Sequence, residues 1–188
     1  MATQSLGQAG MPRGLIGRIL GFIMSWHNAP DYKYTLELLN PGRDERILEV
    51  GFGPGASVEF LAKTHPSVQI AGIDHSEEML RMASVRNRDV IQAGRMDLRV
   101  GSVANLPYDT SHFDKAFSIN CIYFWENPVQ GLIELNRVLK PGGTLAVTVR
   151  DKKRKAYQAF RPEKLAKMFR EAGFTKIQVL NDRIPAPP

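Results

Sequence analysis

The sequence contains a single cysteine, Cys121, in 188 residues, so no disulfide can form within the chain and a disulfide-stapled scaffold is excluded. It has no window of ~20 consecutive apolar residues, which excludes a membrane-spanning helix as read from the sequence. Nor does it begin with a charged stretch, an apolar run and a small-residue cleavage site, so no secretory signal is expected. With the lone cysteine, this points to a reducing, cytoplasmic setting. Internal repeats are absent, and so is any recognisable nucleic-acid-binding motif.

Charge is unevenly distributed along the chain. Arg150 to Pro188 holds 11 basic and 4 acidic residues, a balance of +7, whereas Met1 to Val149 is close to neutral. The whole net charge of +6 therefore comes from the C-terminal part, and the run Arg150-Asp151-Lys152-Lys153-Arg154-Lys155 is its densest stretch. Such a run either solvates a loop or meets an anionic partner. Apolar residues make up 43% and charged residues 23%, the balance of a globular domain with a substantial core. Residues 1–12, rich in Gly, Gln and Ser, read as a disordered tail, and residues 13–188 as one domain. Within residues 13–45, Leu15, Ile16, Ile19, Leu20 and Ile23 recur at helical spacing and predict an apolar-faced covering helix.

From Arg46 onward strand and helix patterns alternate. Short apolar, β-branched runs predict strands at 47–50, 69–73, 97–100, 113–120, 144–149 and 176–180. Helical spacing predicts helices at 56–64, from Ser76 through Ala83, at 128–139 and at 162–172. Ser76 suits an N-cap, Pro128 a first turn, and Gly173 a C-terminal stop. This alternation predicts an α/β fold, a doubly wound, mostly parallel Rossmann-like sheet flanked by helices. Only Asn181 to Pro188 follow the sixth strand, and three of those residues are proline, so a regular seventh strand is not expected in this stretch; the sheet is then either shortened, completed by a neighbouring chain, or continued in sequence beyond it. A sheet lacking that strand leaves an unpaired edge, which makes a homodimer a reasonable expectation.

The strongest local signal is Glu49-Val50-Gly51-Phe52-Gly53-Pro54-Gly55 at the end of strand one. Alternating glycines allow a tight turn and close approach of a ligand to the main chain. The third glycine comes one residue too early for the dinucleotide fingerprint, which argues against a nicotinamide cofactor. An acid two residues before the first glycine suits a cationic ligand better than a pyrophosphate.

This segment resembles the first motif of the class I S-adenosylmethionine (SAM)-dependent methyltransferases, E/D-x-G-x-G-x-G. The likeness continues in order through Gly72-Ile73-Asp74-His75-Ser76-Glu77-Glu78-Met79-Leu80 and Val100-Gly101-Ser102-Val103-Ala104-Asn105-Leu106-Pro107-Tyr108. Phe113-Asp114 and Arg137-Val138-Leu139-Lys140-Pro141-Gly142-Gly143 extend it, so that it covers roughly residues 46 to 180. Enzymes that methylate quinones, phospholipids and other small molecules are the nearest group. The resemblance implies SAM as cofactor, with Gly51, Gly53 and Gly55 cupping its methionine part and Glu49 supporting the loop. It assigns Asp74 to the ribose hydroxyls and His75, Ser102 and the Val103 amide to the adenine. Asn120 faces the methyl end. At position 102 many relatives carry an acid, and a serine hydroxyl is a weaker acceptor.

Methyl transfer from a sulfonium needs alignment and exclusion of water more than acid–base help. No catalytic base is singled out; His27, Tyr32, Tyr34 and Tyr123 are the candidates, each more readily read as a packing or cofactor-contact residue. No metal site is expected. The implied acceptor is a small molecule or a lipid-like molecule. The basic C-terminal part keeps an RNA or DNA acceptor open as a less favoured alternative, and Ser102 with the missing strand keeps open a non-catalytic SAM-binding scaffold.

Overall fold

Ile47, Leu48 and Val50 alternate across a strand that is covered on both sides, and their side chains are 0%, 0% and 3% exposed. That strand sits at the centre of the sheet. The structure, a computed structural model, describes residues 29–150 and 155–180. The expected tail at 1–12, the apolar stripe from Leu15 to Ile23, His27, basic residues 152–154 and the proline-rich end at 181–188 lie outside the described residues.

In chain order the elements are α1 (Ala29–Leu39), β1 (Arg46–Val50), α2 (Ala56–Thr64), β2 (Gln69–Asp74), α3 (Glu77–Arg86) and α4 (Arg88–Gln92). They continue with β3 (Met96–Val100), β4 (Phe113–Ile119), α5 (Pro128–Val138), β5 (Leu139–Thr148) and α6 (Pro162–Glu171). Short 3-10 turns occupy Ile122–Phe124 and Lys155–Phe160. The five strands are all parallel and lie in the order β3-β2-β1-β4-β5. The expected α/β doubly wound architecture is therefore present. The chain winds outward from β1 in one direction and then restarts at β4 on its other side. The crevice where ligands bind in such sheets lies at that reversal, beyond the carboxyl ends of β1 and β4.

One face of the sheet packs Ile47 and Phe117 against Leu36 and Leu39 of α1, Val58 and Leu61 of α2, and Met79 and Ala83 of α3. The other packs Leu48, Val50 and Ile73 against Leu135 and Val138 of α5, with α6 behind. Burial of each such side chain contributes about 1.5–3 kcal/mol, which makes this two-sided core the main source of stability.

Two of the family-like motifs prove to be structural. Asp114 accepts from the Arg46 amide at 2.9 Å and pairs with Lys140 at 2.6 Å, fastening β1, β4 and β5 at their starting ends. Arg137 donates to the carbonyls of Tyr108 and Leu106 at 2.9 and 3.0 Å and pairs with Glu134, which fixes the loop after β3. Neither group reaches the crevice end of the sheet.

The sixth strand expected over 176–180 does not form. Those residues have no ladder partner among the described residues, and all but Ile177 are exposed. Strand propensity there reflects a pleated, half-buried surface that needs a neighbour, and none is supplied. β5 is accordingly the last strand of the described sheet. It also begins earlier than its apolar run suggests. Leu139 pairs with Phe113 before an irregularity, and regular pairing resumes at Thr144 opposite Lys115. The Lys140–Gly143 turn is thus accommodated within the strand, where Gly142 adopts φ +82°.

Candidate functional site

β1 ends by handing its chain to a loop with φ values of +82°, +52° and +80° at Gly51, Gly53 and Gly55. These left-handed values are why glycine stands at alternate positions. The three glycines do different work. A methyl group on Gly51 would lie 2.2 Å from the Cys121 sulfur, and one on Gly55 would lie 2.7 Å from Ala83 Cβ and Asn87 Nδ2. Those two positions are closed by the protein's own packing. A methyl group on Gly53 would meet nothing within 4 Å, so the middle of the loop faces open space. Behind the loop, α2 starts after Gly55 with no side-chain cap.

Asp74, the last residue of β2, lies beside this loop and is only 6% exposed. Its Oδ2 accepts from the Gly53 amide at 2.9 Å, and its Oδ1 from the Ser76 amide at 3.0 Å. His75, with 43% of its side chain exposed, places Nδ1 3.6 Å from Asp74 Oδ1. Burial raises the Asp74 pKa, opposed by the Gly53 and Ser76 amides. A carboxylate offers about four acceptor positions, so some acceptor capacity remains beyond the Gly53, Ser76 and His75 amides.

Glu49 is 1% exposed, and the Ser57 hydroxyl lies 2.7 and 2.6 Å from its two oxygens. Burial pushes its pKa up to about 8, against the Ser57 hydrogen bond and with a smaller contribution from the Asp74 charge. Cys121 lies under Gly51, and burial pushes its thiol up to about 12, so it is no nucleophile at neutral pH.

Ser102 and Val103 follow β3. The Ser102 hydroxyl accepts from the Ala104 amide at 3.2 Å, which closes a local turn. The Val103 side chain is buried in the core near Trp125, where it helps make glycine necessary at position 131. Asn120 follows β4 in a left-handed conformation, φ +51°. Its amide nitrogen donates to Asp31 Oδ2, and its amide oxygen accepts from the Tyr123 hydroxyl at 2.8 Å and the Arg150 amide at 3.1 Å. Arg150 Nε also reaches Asp31 Oδ2, at 2.7 Å.

The structure therefore gathers Glu49, Gly51, Gly53, Gly55, Asp74 and His75 around one loop, and places Asn120 at the neighbouring strand end. Tyr32 packs on Phe60 at 5.4 Å between ring centroids, away from this arrangement. Tyr123 stands beside Asn120 and packs edge-on against Phe124 and Tyr157 at 5.3 and 4.7 Å. Burial raises its hydroxyl pKa strongly, so it is a neutral hydrogen-bonding group and not a base. Three participants were not legible as such: Ser57, Asp31 and Arg150. Asp31 follows Pro30 at the start of a helix, where an acid ordinarily complements the helix dipole and carries no further signal. Among the described residues no cluster of His, Cys, Asp or Glu could hold a metal ion, and no helix is long and apolar enough to cross a membrane.

A loop open at its centre, an adjoining buried carboxylate with acceptor capacity and a buried acid behind it suit a ligand carrying both hydroxyls and positive charge. Comparison with known proteins agrees. Residues 48–147 match the model of the methyltransferase domain family. The chain is 33% identical over 165 residues to an uncharacterized methyltransferase, YdaC, of Bacillus subtilis (strain 168), covering 86% of this chain and 88% of that protein. It is 35% identical over 103 residues to a ubiquinone/menaquinone biosynthesis C-methyltransferase of Geobacter sp. (strain M21), covering 54% of this chain but 44% of the relative. Among solved structures, one in which the Haloferax volcanii Trm112 methyltransferase activator is bound to a putative methyltransferase gives a TM-score of 0.72 at 24% identity, over 89% of this chain and 79% of that one. The S-adenosyl-L-methionine complex of Haemonchus contortus phosphoethanolamine N-methyltransferase 2 gives 0.73 at 21% identity, over 87% and 42%. At such identities the structural likeness is one of fold.

Proposed function

The chain belongs to the class I SAM-dependent methyltransferase family, and from that premise we propose that it transfers the methyl group of SAM to a small-molecule or lipid-like acceptor. The observation that carries the site assignment is the hydrogen bond from the Gly53 amide to Asp74, which joins the open part of the glycine loop to a buried carboxylate. In this reading Gly51, Gly53 and Gly55 cradle the methionine part of SAM. The start of α2, which has no side-chain cap, receives its carboxylate. Asp74 accepts from both ribose hydroxyls. His75 and the main chain at Val103 border the adenine, and the Ser102 hydroxyl contributes a weaker contact because it already serves the Ala104 amide. Glu49 holds the loop through Ser57 and supplies negative charge beneath a cationic ligand.

SAM supplies an activated methyl group on a sulfonium leaving group. The protein's part is then alignment, exclusion of water and, where the acceptor carries a proton, its disposal. Asn120 and Tyr123 stand at the methyl end of this arrangement. The aromatic surroundings of Tyr123, formed by Phe124, Tyr157 and Phe160, favour an acceptor with an apolar or ring-shaped body. The names of the quinone-methylating relatives are in keeping with that chemistry.

Calorimetric titration with S-adenosylhomocysteine (SAH), with NADH as control, tests the cofactor site on wild type and Asp74→Ala. SAH binding that is lost in the variant, with no NADH binding, supports the assignment. Transfer of labelled methyl from SAM to menadiol, catechol or phosphatidylethanolamine vesicles then tests the acceptor class. Binding of SAH without transfer to any of these, but with transfer to bulk RNA, would overturn the small-molecule reading.

A further inference from the structure

Beyond the cofactor loop, one side chain has a geometry that packing does not explain. Asp31, in the first turn of α1, is 1% exposed and meets polar groups that follow two separate strands, β4 and β5. Its Oδ2 receives both the Asn120 amide nitrogen and Arg150 Nε. Its Oδ1 is buried and has no hydrogen-bond partner among the described residues. Burying an acceptor without a donor is costly. An apolar residue would join α1 to the sheet more cheaply.

The consequence of the Asp31–Asn120 bond is directional. An amide has one donor end and one acceptor end. With Nδ2 committed to Asp31, Oδ1 must point the other way, where it receives the Tyr123 hydroxyl at 2.8 Å and the Arg150 amide at 3.1 Å. The Tyr123 proton is therefore committed to Asn120, its oxygen also takes the Arg150 amide, and one lone pair is left as an acceptor. The left-handed backbone at Asn120 is held by a further bond from its amide to the Thr148 carbonyl at 2.8 Å. The Thr35 hydroxyl, one turn along α1, meets that of Thr148 at 2.6 Å, so the helix is pinned beside the same strand end.

We propose that Asp31 is a positioning residue for methyl transfer: through the Asn120 amide it orients the Tyr123 hydroxyl so that its oxygen accepts a hydrogen bond from the N–H or O–H of the methyl acceptor; as the acceptor–CH3 bond forms, the S–CH3 bond breaks, SAH leaves, and the acceptor's proton passes to solvent, with Tyr123 staying neutral. This rests on the methyltransferase reading above and adds to it the polarity of the acceptor's reacting group, which must be a hydrogen-bond donor at Tyr123. Asp31 itself touches neither substrate nor cofactor.

The test compares wild type, Asp31→Asn, Asp31→Glu and Tyr123→Phe. Protein labelled with [13Cζ]tyrosine and saturated with SAH reports the Tyr123 hydroxyl directly, its resonance being assigned by its disappearance in Tyr123→Phe. Asp31→Asn is expected to move that resonance while SAH affinity stays within about threefold of wild type. Asp31→Glu keeps the charge and so the fold; it is expected to move the resonance less. With menadiol as acceptor, kcat is expected to fall at least tenfold in Asp31→Asn, to about the level of Tyr123→Phe. The double variant should be no slower than the slower single one, because both act through one hydroxyl. An unmoved Tyr123 resonance in both Asp31 variants would overturn the proposal, as would additive losses in the double variant. If wild type transfers methyl to no probe, the acceptor reading fails, while the resonance still decides the Asp31–Tyr123 coupling.

Discussion

The Ser57 hydroxyl lies 2.7 and 2.6 Å from the two oxygens of Glu49, eight residues earlier and on the far side of the glycine loop. The single proton of that hydroxyl is shared between both oxygens, and no other side chain among the described residues donates to them. This is weak compensation for an acid that is 1% exposed, and it explains why the Glu49 pKa rises to about 8. The acid is thus mostly protonated at neutral pH in the ligand-free protein, where its proton spares the core a buried charge.

A pH dependence of stability follows from that raised pKa. The folded value lies above the unfolded value of 4.5, so the folded state binds the extra proton. Stability from this group is fully present below the unfolded pKa and is lost as pH rises through about 8. Each pH unit between the two values is worth ~1.4 kcal/mol, so urea unfolding of the ligand-free protein should show a fall on the order of a few kcal/mol from about pH 5 to about pH 9. Glu49→Gln should flatten most of that slope. An equal slope in the variant would place the titrating group elsewhere. A cationic ligand favours the ionised acid, so binding of SAM should release protons, which calorimetry in buffers of different ionisation enthalpy reads directly.

The two ends of the glycine loop and its middle should respond differently to the same substitution. Gly51→Ala places a methyl group 2.2 Å from the Cys121 sulfur at φ +82°, so both the backbone and the packing oppose it. A loss of about 2–4 kcal/mol in unfolding free energy is expected from overpacking together with the left-handed backbone. Gly53→Ala meets no neighbour, and only its φ of +52° disfavours it, so stability should fall by about 1 kcal/mol. Its affinity for SAH should nevertheless drop at least tenfold, because the added methyl occupies the open side of the loop. Should Gly53→Ala bind SAH as wild type does, the cradle would lie elsewhere.

Asp74 separates a structural role from a binding role by chemistry. In Asp74→Ala the Gly53 and Ser76 amides lose their acceptors, which costs about 1–3 kcal/mol for each group left unsatisfied in the interior. In Asp74→Asn one oxygen remains, and the loop is expected to keep its shape. SAH affinity should fall roughly a hundredfold in Asp74→Ala and about tenfold in Asp74→Asn, measured by calorimetry at pH 8. Indistinguishable affinities for both variants and wild type would remove Asp74 from the ribose site.

The sequence made the sheet legible where local pattern and tertiary environment agree. β1, β2 and β4 are largely buried apolar runs, β1 runs straight into Gly51, and the reversal between β1 and β4 puts the Glu49–Gly55 loop where the alternation implied. It was less informative where a residue's meaning depends on a partner far along the chain. Val179 and Leu180 carry strand propensity but are 49% and 53% exposed, because no strand lies alongside them. Asp114 and Arg137 stand in motifs shared with the methyltransferases, yet they fasten strand starts and a loop, a distinction only the hydrogen-bond partners reveal. Asp31 carried no signal at all: its partners Asn120 and Arg150 are 89 and 119 residues away.

The same distance makes the Asp31–Arg150 pair a sensitive probe of how α1 is held to the sheet. Asp31 is 1% exposed, whereas the Arg150 side chain is 30% exposed and can turn to water when its partner is lost. Removing the cation and removing the anion are therefore unequal. Arg150→Met leaves a buried carboxylate that still receives the Asn120 amide but has lost its charge partner, and should lower unfolding free energy by about 3 kcal/mol. Asp31→Asn removes the buried charge and keeps an oxygen to accept from the Asn120 amide, and should cost less, about 1 kcal/mol. Hydrogen exchange should show the asymmetry locally, with amides of residues 32–39 exchanging faster in Arg150→Met than in Asp31→Asn. The reverse order would mean that the guanidinium, not the carboxylate, is the costly group to strand.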